Sequence, residues 1–143
     1  MSIRFTLAIA VGLTVLALTS ALRAQHDANT HRHPAAAKLK NPVAASAGSI
    51  AAGRKRYDQH CSECHGNAGK GDGYEGEGLE KKPSNLTDAA WDHGTTDGEI
   101  FLVIRDGAGP KSDMKGFGKK VKTKEIWDVV NFVRTLGPQK SRE

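Results

Sequence analysis

Cysteine is nearly absent from this 143-residue chain: there are two, three residues apart, at Cys61 and Cys64. That scarcity excludes a framework of structural disulfides and a zinc site built from two cysteine pairs. Aromatic side chains are only 6% of the residues and are not interleaved with the lysines, so a stacking surface for nucleic acid is excluded. The formal charge of +5 is too mild to argue for such a partner. No run alternates apolar and polar residues over a strand's length and no segment repeats, which leaves helix as the regular structure. Beyond the N-terminus no apolar run is long enough to cross a membrane.

The N-terminus itself has an export layout. Arg4 precedes a mostly apolar stretch over residues 5–18, and small residues follow up to Ala24. Residues 1–24 read as a secretory signal peptide, which places the mature protein in the periplasm or another extracytoplasmic compartment. An uncleaved anchor is the alternative, because Ala21 and Leu22 extend the apolar stretch, and only then would the chain contact a membrane. Without Arg4 and Arg23 the 21 basic residues become 19 against 16 acidic ones. Residues 25–48 show no sustained period and read as a flexible tether, where His26, His31 and His33 lack the fixed geometry that a metal site needs.

Order is expected from Ser49, a candidate N-cap. Ile50, Gly53, Tyr57 and Cys61 then recur at helical spacing. A glycine-rich loop follows, with glycines at 66, 69, 71, 73, 76 and 78. Its Gly71, Gly73 and Gly76 match GxGxxG in form, but no strand precedes them, so a dinucleotide site is excluded by context. A helical turn is expected over 87–91. Thr96 with Glu99 forms a capping box ahead of a helix that Gly107 stops, and Thr123 caps a last helix that ends at Gly137 and Pro138. The reading is an all-α domain over 49–137 with a short tail at 138–143.

Both cysteines stand in HCSECHG, residues 60–66, with His65 directly behind Cys64. Structural zinc asks for four ligands, and a thioredoxin-like dithiol asks for a βαβ setting; neither is present. The remaining chemistry is c-type haem attachment, in which both thiols add to vinyl groups and His65 coordinates iron. Export agrees with it. Only one such motif occurs, so one haem c per chain is expected. The mature chain has one methionine, Met114, in an irregular segment among Gly, Asp and Lys rather than at a periodic core position. Its thioether is a candidate sixth ligand. His60 and His93 are rivals for that place, each expected at the surface, and His60 stands too close to the attachment site to reach the opposite haem face.

These residues resemble the class I c-type cytochrome family, single-haem bacterial type. The resemblance runs from Ser49 to Leu136. It rests on Gly53 and Tyr57 ahead of the motif, on Gly69, Gly71 and Gly73, and on Pro83, Asn85 and Leu86. It continues through Asp97 to Gly107, Met114, and Trp127 with Phe132. It implies a small fold of three main helices plus short helical turns wrapped around one covalently bound haem. Gly53 would then permit a close crossing of the first and last helices. Pro83 would offer its carbonyl to the His65 ring, and Trp91 or Arg105 would meet a haem propionate. The family often has proline after the ligand methionine; Lys115 stands there, which implies a looser loop.

An iron closed by His65 and Met114 has no vacant position, so the expected role is a one-electron carrier and not an enzyme. Lys111, Lys115, Lys119, Lys120, Lys122 and Lys124 crowd the segment around Met114. If they rim the haem edge, the redox partners would present an acidic docking face. Two alternatives are an electron-entry subunit of a dehydrogenase or oxidase complex, and a gas or redox sensor with a displaceable Met114. A single attachment motif disfavours a di-haem peroxidase.

Overall fold

Ser46 starts the ordered helices. Its side chain accepts from the Ser49 amide, which places the cap three residues ahead of the expected one and opens α1, Ala47–His60. The computed structural model describes residues 33–138. The expected signal segment, the first part of the expected tether and the last five residues of the expected tail lie outside the described residues. Cys61 leaves helical geometry (φ −124°) and separates α1 from a single turn, α2, Ser62–His65. After a long loop, α3 spans Asp97–Asp106 with the Thr96–Glu99 capping box in place. The last helix, α4, spans Thr123–Leu136. Here Lys122, not Thr123, holds the extended N-cap position, and Glu125 accepts from its amide. Two 3-10 turns, Pro34–Lys38 and Tyr74–Gly76, complete the helical elements. Among the described residues there is no strand, only an isolated bridge between Gly107 and Lys115.

The core lies where α1 and α3 meet α4. Tyr57 and Val130 are fully buried, the Phe101 and Trp127 rings stack 4.0 Å apart, and Tyr57 meets Phe132 at 5.1 Å. Arg134 ties α4 to the start of α3 through Asp97 at 2.7 Å. Among the described residues no helix is long and apolar enough to cross a membrane.

One sequence expectation needs correction. No helix forms over 87–91: Asn85 Oδ1 accepts from the Thr87 amide and Asp88 Oδ1 from the Ala90 amide. Two side-chain turns in succession take the donors that a helix would use. Part of the segment read as a tether makes specific contacts with the helices. Ala36 is buried and the Ala36–Leu39 backbone packs on Gly98. Asn41 donates to Asn131 Oδ1 at 3.0 Å, and Asn131 Nδ2 donates to the Val43 carbonyl at 3.0 Å and to Ser49 Oγ at 2.9 Å. Ser49 in turn donates to the buried Asp128 carboxylate at 2.6 Å, and Lys124 reaches that carboxylate at 2.9 Å. Each buried polar atom in this chain of contacts has a partner, so removing its centre is costly. Asn131→Ala is expected to destabilise the fold by about 2 kcal/mol and to open the segment around Asn41 and Val43 to protease. Denaturant titration with limited proteolysis checks both; an unchanged cleavage pattern would mean that the strap is held by other contacts.

Candidate functional site

Gly53 and Tyr57 on α1 and Cys61 at its C-cap follow one another at helical spacing, so the first cysteine emerges from the same face that packs on α4. The turn of α2 then frees the carbonyls of Cys64, His65 and Gly66. The glycine-rich loop satisfies each of them: Gly73 donates to Cys64 at 3.1 Å, Gly71 to His65 at 2.8 Å, and Gly69 to Gly66 at 3.1 Å. The buried Tyr57 hydroxyl also donates to the Gly66 carbonyl at 2.7 Å. Burial, with the nearby Cys61, pushes that phenol well above its ordinary range, so it stays a donor. The loop is a backbone clamp on the attachment turn, with no feature of a nucleotide site.

His65 Nδ1 lies 3.1 Å from the Ser84 carbonyl. A carbonyl only accepts, so Nδ1 carries the proton. Burial lowers the imidazole's pKa, partly offset by that hydrogen bond, and the neutral ring keeps its Nε2 lone pair for a metal. The expected partner was Pro83, which the structure corrects by one residue. Gly71 sits at φ +77° with its Cα against the Pro83 carbonyl; an added Cβ would be 2.3 Å from that oxygen. In extended chain successive carbonyls point opposite ways, so with Pro83 turned to Gly71 it is Ser84 that faces His65.

His65 lines an apolar cleft with Cys61, Ser84 and Met114, walled by Leu86 and Trp91 and by residues of α3 and α4 such as Ile100, Ile104, Val129 and Val133. The cleft holds about 630 Å³ of non-atom space, its mouth included. Met114 is brought to it by the segment after α3. Ala108 donates to the Met114 carbonyl at 3.0 Å, and Phe117 and Gly118 donate to the Ile104 and Arg105 carbonyls at the end of α3, both at 2.9 Å. The loop is therefore pinned on both sides of Met114, although Lys115 stands where proline was expected.

His93, expected at the surface, also lines the cleft, whereas His60 is exposed with its ring 5.8 Å from Phe117. Trp91 is a wall of the cleft, but its indole N–H donates to the Asp88 carbonyl at 2.7 Å and is not free to meet a carboxylate. Arg105 lies outside the cleft lining. Its guanidinium is paired with Asp106 at 2.7 Å and lies over Phe101. Ser84 and Asp92 are polar wall residues that sequence reasoning did not name, and His93 is one that it placed at the surface. No pattern in the chain puts them on the cleft, because all three owe their place to loop geometry.

Both thiols are free. Burial, with Cys64 beside it, pushes Cys61 up to about 12. Cys64 is raised by burial and then by the charges of Glu75, Glu63 and Asp113. Both are thiols, not thiolates, at neutral pH, which slows their closure to a disulfide. Among the described residues no three His, Cys, Asp or Glu side chains gather as a metal-holding group, so the thiols and imidazole are not arranged as a zinc trio. The donor set fits a flat, apolar, iron-bearing group instead: the Cys61 thiol, a neutral imidazole held in one tautomer and a thioether line one apolar cleft, and Cys64 stands on the same single turn as His65.

A helical fold around such a cleft, entered by a CxxCH turn, defines a c-type cytochrome domain. Residues 48–133, more than half of the chain, match the family model described as "Cytochrome C oxidase, cbb3-type, subunit III", and the chain belongs to that family. The family's cofactor is haem c. Solved structures that the chain is similar to include two. One is the Kuenenia stuttgartiensis reducing HAO-like protein complex, at 26% identity and a TM-score of 0.63 over 71% of this chain and 49% of that one. The other is cytochrome cL from Hyphomicrobium denitrificans, at 26% identity and a TM-score of 0.51 over 67% of this chain and 51% of that one. The chain thus spans about half the length of each. No curated protein matches.

Proposed function

We propose that this protein is a single-haem electron carrier working outside the cytoplasm, with Cys61 and Cys64 as the thioether residues and His65 and Met114 as the axial ligands. The observation that carries the reading is His65: its Nδ1–H is held by the Ser84 carbonyl inside the apolar cleft that Cys61 and Met114 also line. The haem supplies a one-electron change between ferric and ferrous iron. The chain's own residues hold it rigid. Ser84 fixes the His65 ring, the Ala108 and Phe117 backbone bonds hold the methionine segment, and the walls from α3 and α4 exclude water. With both ligands in place no position is left for a substrate, so the domain carries electrons and transforms nothing.

The test is the visible spectrum of the exported protein, oxidised and reduced, with carbon monoxide added to the reduced form. A low-spin spectrum unmoved by carbon monoxide is expected, and Met114→Ala is expected to make the reduced protein bind it. A wild-type spectrum that shifts with carbon monoxide would move the assignment to a sensor, and absence of covalent haem would end the reading. The family's description as an oxidase subunit, together with the similarity to a protein complex, favours a second reading as an electron-entry subunit. Purification without detergent from the native membrane and soluble fractions separates the two: a carrier elutes alone, a subunit elutes with its enzyme.

A further inference from the structure

Met114 reaches the cleft on a run of chain laid across the end of α3, and glycines set how closely that run lies. Gly107 leaves α3 at φ +95° and ψ 169°, a conformation that in practice only glycine adopts. It then pairs with Lys115 in an isolated antiparallel bridge, and a Cβ added to it would stand 2.9 Å from the Met114 carbonyl oxygen. The approach is closer still at Gly116. A Cβ there would stand 2.5 Å from the Arg105 carbonyl oxygen and 2.6 Å from the Asp106 carbonyl carbon. Backbone therefore lies on backbone, at a separation that no side chain would allow. Phe117 donates to the Ile104 carbonyl, and Ile104 lines the cleft, so the methionine segment and a cleft wall are held together. The outer turn ties itself off: Ser112 Oγ accepts from the Met114 amide at 3.2 Å, and Lys115 Nζ donates to the Ser112 carbonyl at 2.6 Å. Lys115 stands where the family often has proline. The stiffness that a proline ring lends from within a loop comes here from outside, through the seat on α3.

We propose that Gly116 is the positioning residue of the sixth ligand: its contact with the α3 backbone sets the register of Met114 and thereby how tightly the thioether closes the iron. This rests on the reading of Met114 as an axial ligand. A methyl group at position 116 would face the backbone of Arg105 and Asp106, which has no rotamer by which to give way. The segment must lift instead. Gly116 is two residues from Met114, so the lift is carried to the thioether through two peptide units. The buried aromatic contacts between α1 and α4, where Tyr57 meets Phe132, are not part of that seat and stay in place. Closure of the iron is thus separable from stability of the fold, and a single methyl group is enough to separate them.

The test is a carbon monoxide titration of the reduced holoprotein, read at the haem so that only loaded chains are counted, beside a thermal melt and a redox titration. Apparent affinity scales with the fraction of molecules whose sixth position is open, and in Gly116→Ala it is expected to exceed the wild type at least about tenfold. The reduction potential should fall toward that of Met114→Ala, because a thioether ligand raises it. Gly118→Ala should move both quantities the same way by less, since its added Cβ first meets the flexible Arg105 Cγ, at 2.8 Å. Gly78→Ala, whose Cβ would meet nothing within 4 Å, should match the wild type throughout. Asn131→Ala should melt lower yet stay closed to carbon monoxide, which a merely structural role for Gly116 would not allow. If Gly116→Ala collects no haem, Gly118→Ala decides by the same criterion. A loaded Gly116→Ala as closed as the wild type, or an Asn131→Ala equally open, overturns the proposal. Met114→Ala keeps the two readings apart. If it is no more open than the wild type, the axial assignment itself fails; if it opens and Gly116→Ala does not, only the positioning role fails.

Discussion

Cys61→Ala combined with Cys64→Ala is expected to give a chain with no covalent haem and no cooperative unfolding transition. The reason lies in the cleft. Leu86, Ile100, Ile104, Val129 and Val133 present apolar walls to a space that nothing in the described chain fills. A domain this small is stable by about 5–15 kcal/mol at most. Apolar surface left facing water forfeits about 25 cal/mol per Å², so roughly 200 Å² of cleft wall and neighbouring core that the haem no longer covers costs about 5 kcal/mol. Haem staining after denaturing electrophoresis and a circular-dichroism melt check the two halves of the result. Each single variant keeps one bond, so haem should remain on the denatured chain. Adding free haem to the double variant separates the thioethers from the haem itself: recovery of a sharp melt would show that the filled cleft, held by His65 and Met114, is what stabilises the fold. A double variant that melts like the wild type without haem would falsify this account of the core.

The parts of the site legible in the sequence are those set by neighbours in the chain. HCSECHG puts Cys61 at the N-cap and Cys64 and His65 within the one turn of α2, and the Thr96–Glu99 box starts α3 where its spacing says. The three long helices could be read because each carries an apolar period with a local start or stop. What could not be read depends on distant contacts or on parity. Whether Pro83 or Ser84 faces His65 is decided by alternating carbonyls and by Gly71, twelve residues earlier in the chain. The strap at 33–46 looks featureless because its order comes from Asn41 and Val43 meeting Asn131, some ninety residues away. The pairing of Arg105 with its neighbour Asp106 is a matter of side-chain geometry that no sequence pattern marks. The lysine-rich segment shows the same limit. Its charges are consecutive in sequence, but Lys122 and Lys124 open α4 and turn to a different groove from the cleft.

Gly53→Ala is expected to be among the most damaging single-methyl changes available outside the motif. An added Cβ would stand 2.0 Å from the Asp128 carbonyl oxygen and 3.0 Å from Phe132 Cβ. The obstacle is the backbone of α4, which cannot rotate away as a flexible side chain could. The helices must therefore separate, and α1 carries Tyr57 and Cys61 on the face that would lift. The Tyr57 bond to Gly66 and the approach of Cys61 to the cleft are disturbed together, so fold and haem attachment are coupled through one contact. Overpacking of this kind costs about 3 kcal/mol. In a domain of this size each kcal/mol lowers the melting midpoint by roughly 4–8 °C. Gly48, on the first turn of the same helix, supplies the control. Its nearest neighbour to an added Cβ is Ser46 Oγ at 3.9 Å, an ordinary contact. Gly48→Ala should therefore stabilise the protein by about 0.5 kcal/mol through the better helix propensity of alanine. Opposite shifts of the two midpoints, with reduced haem incorporation only in Gly53→Ala, would tie the crossing of α1 and α4 to the attachment site. Equal midpoints would mean that the helices can slide apart at little cost, and that Cys61 is positioned by the clamp of the glycine-rich loop instead.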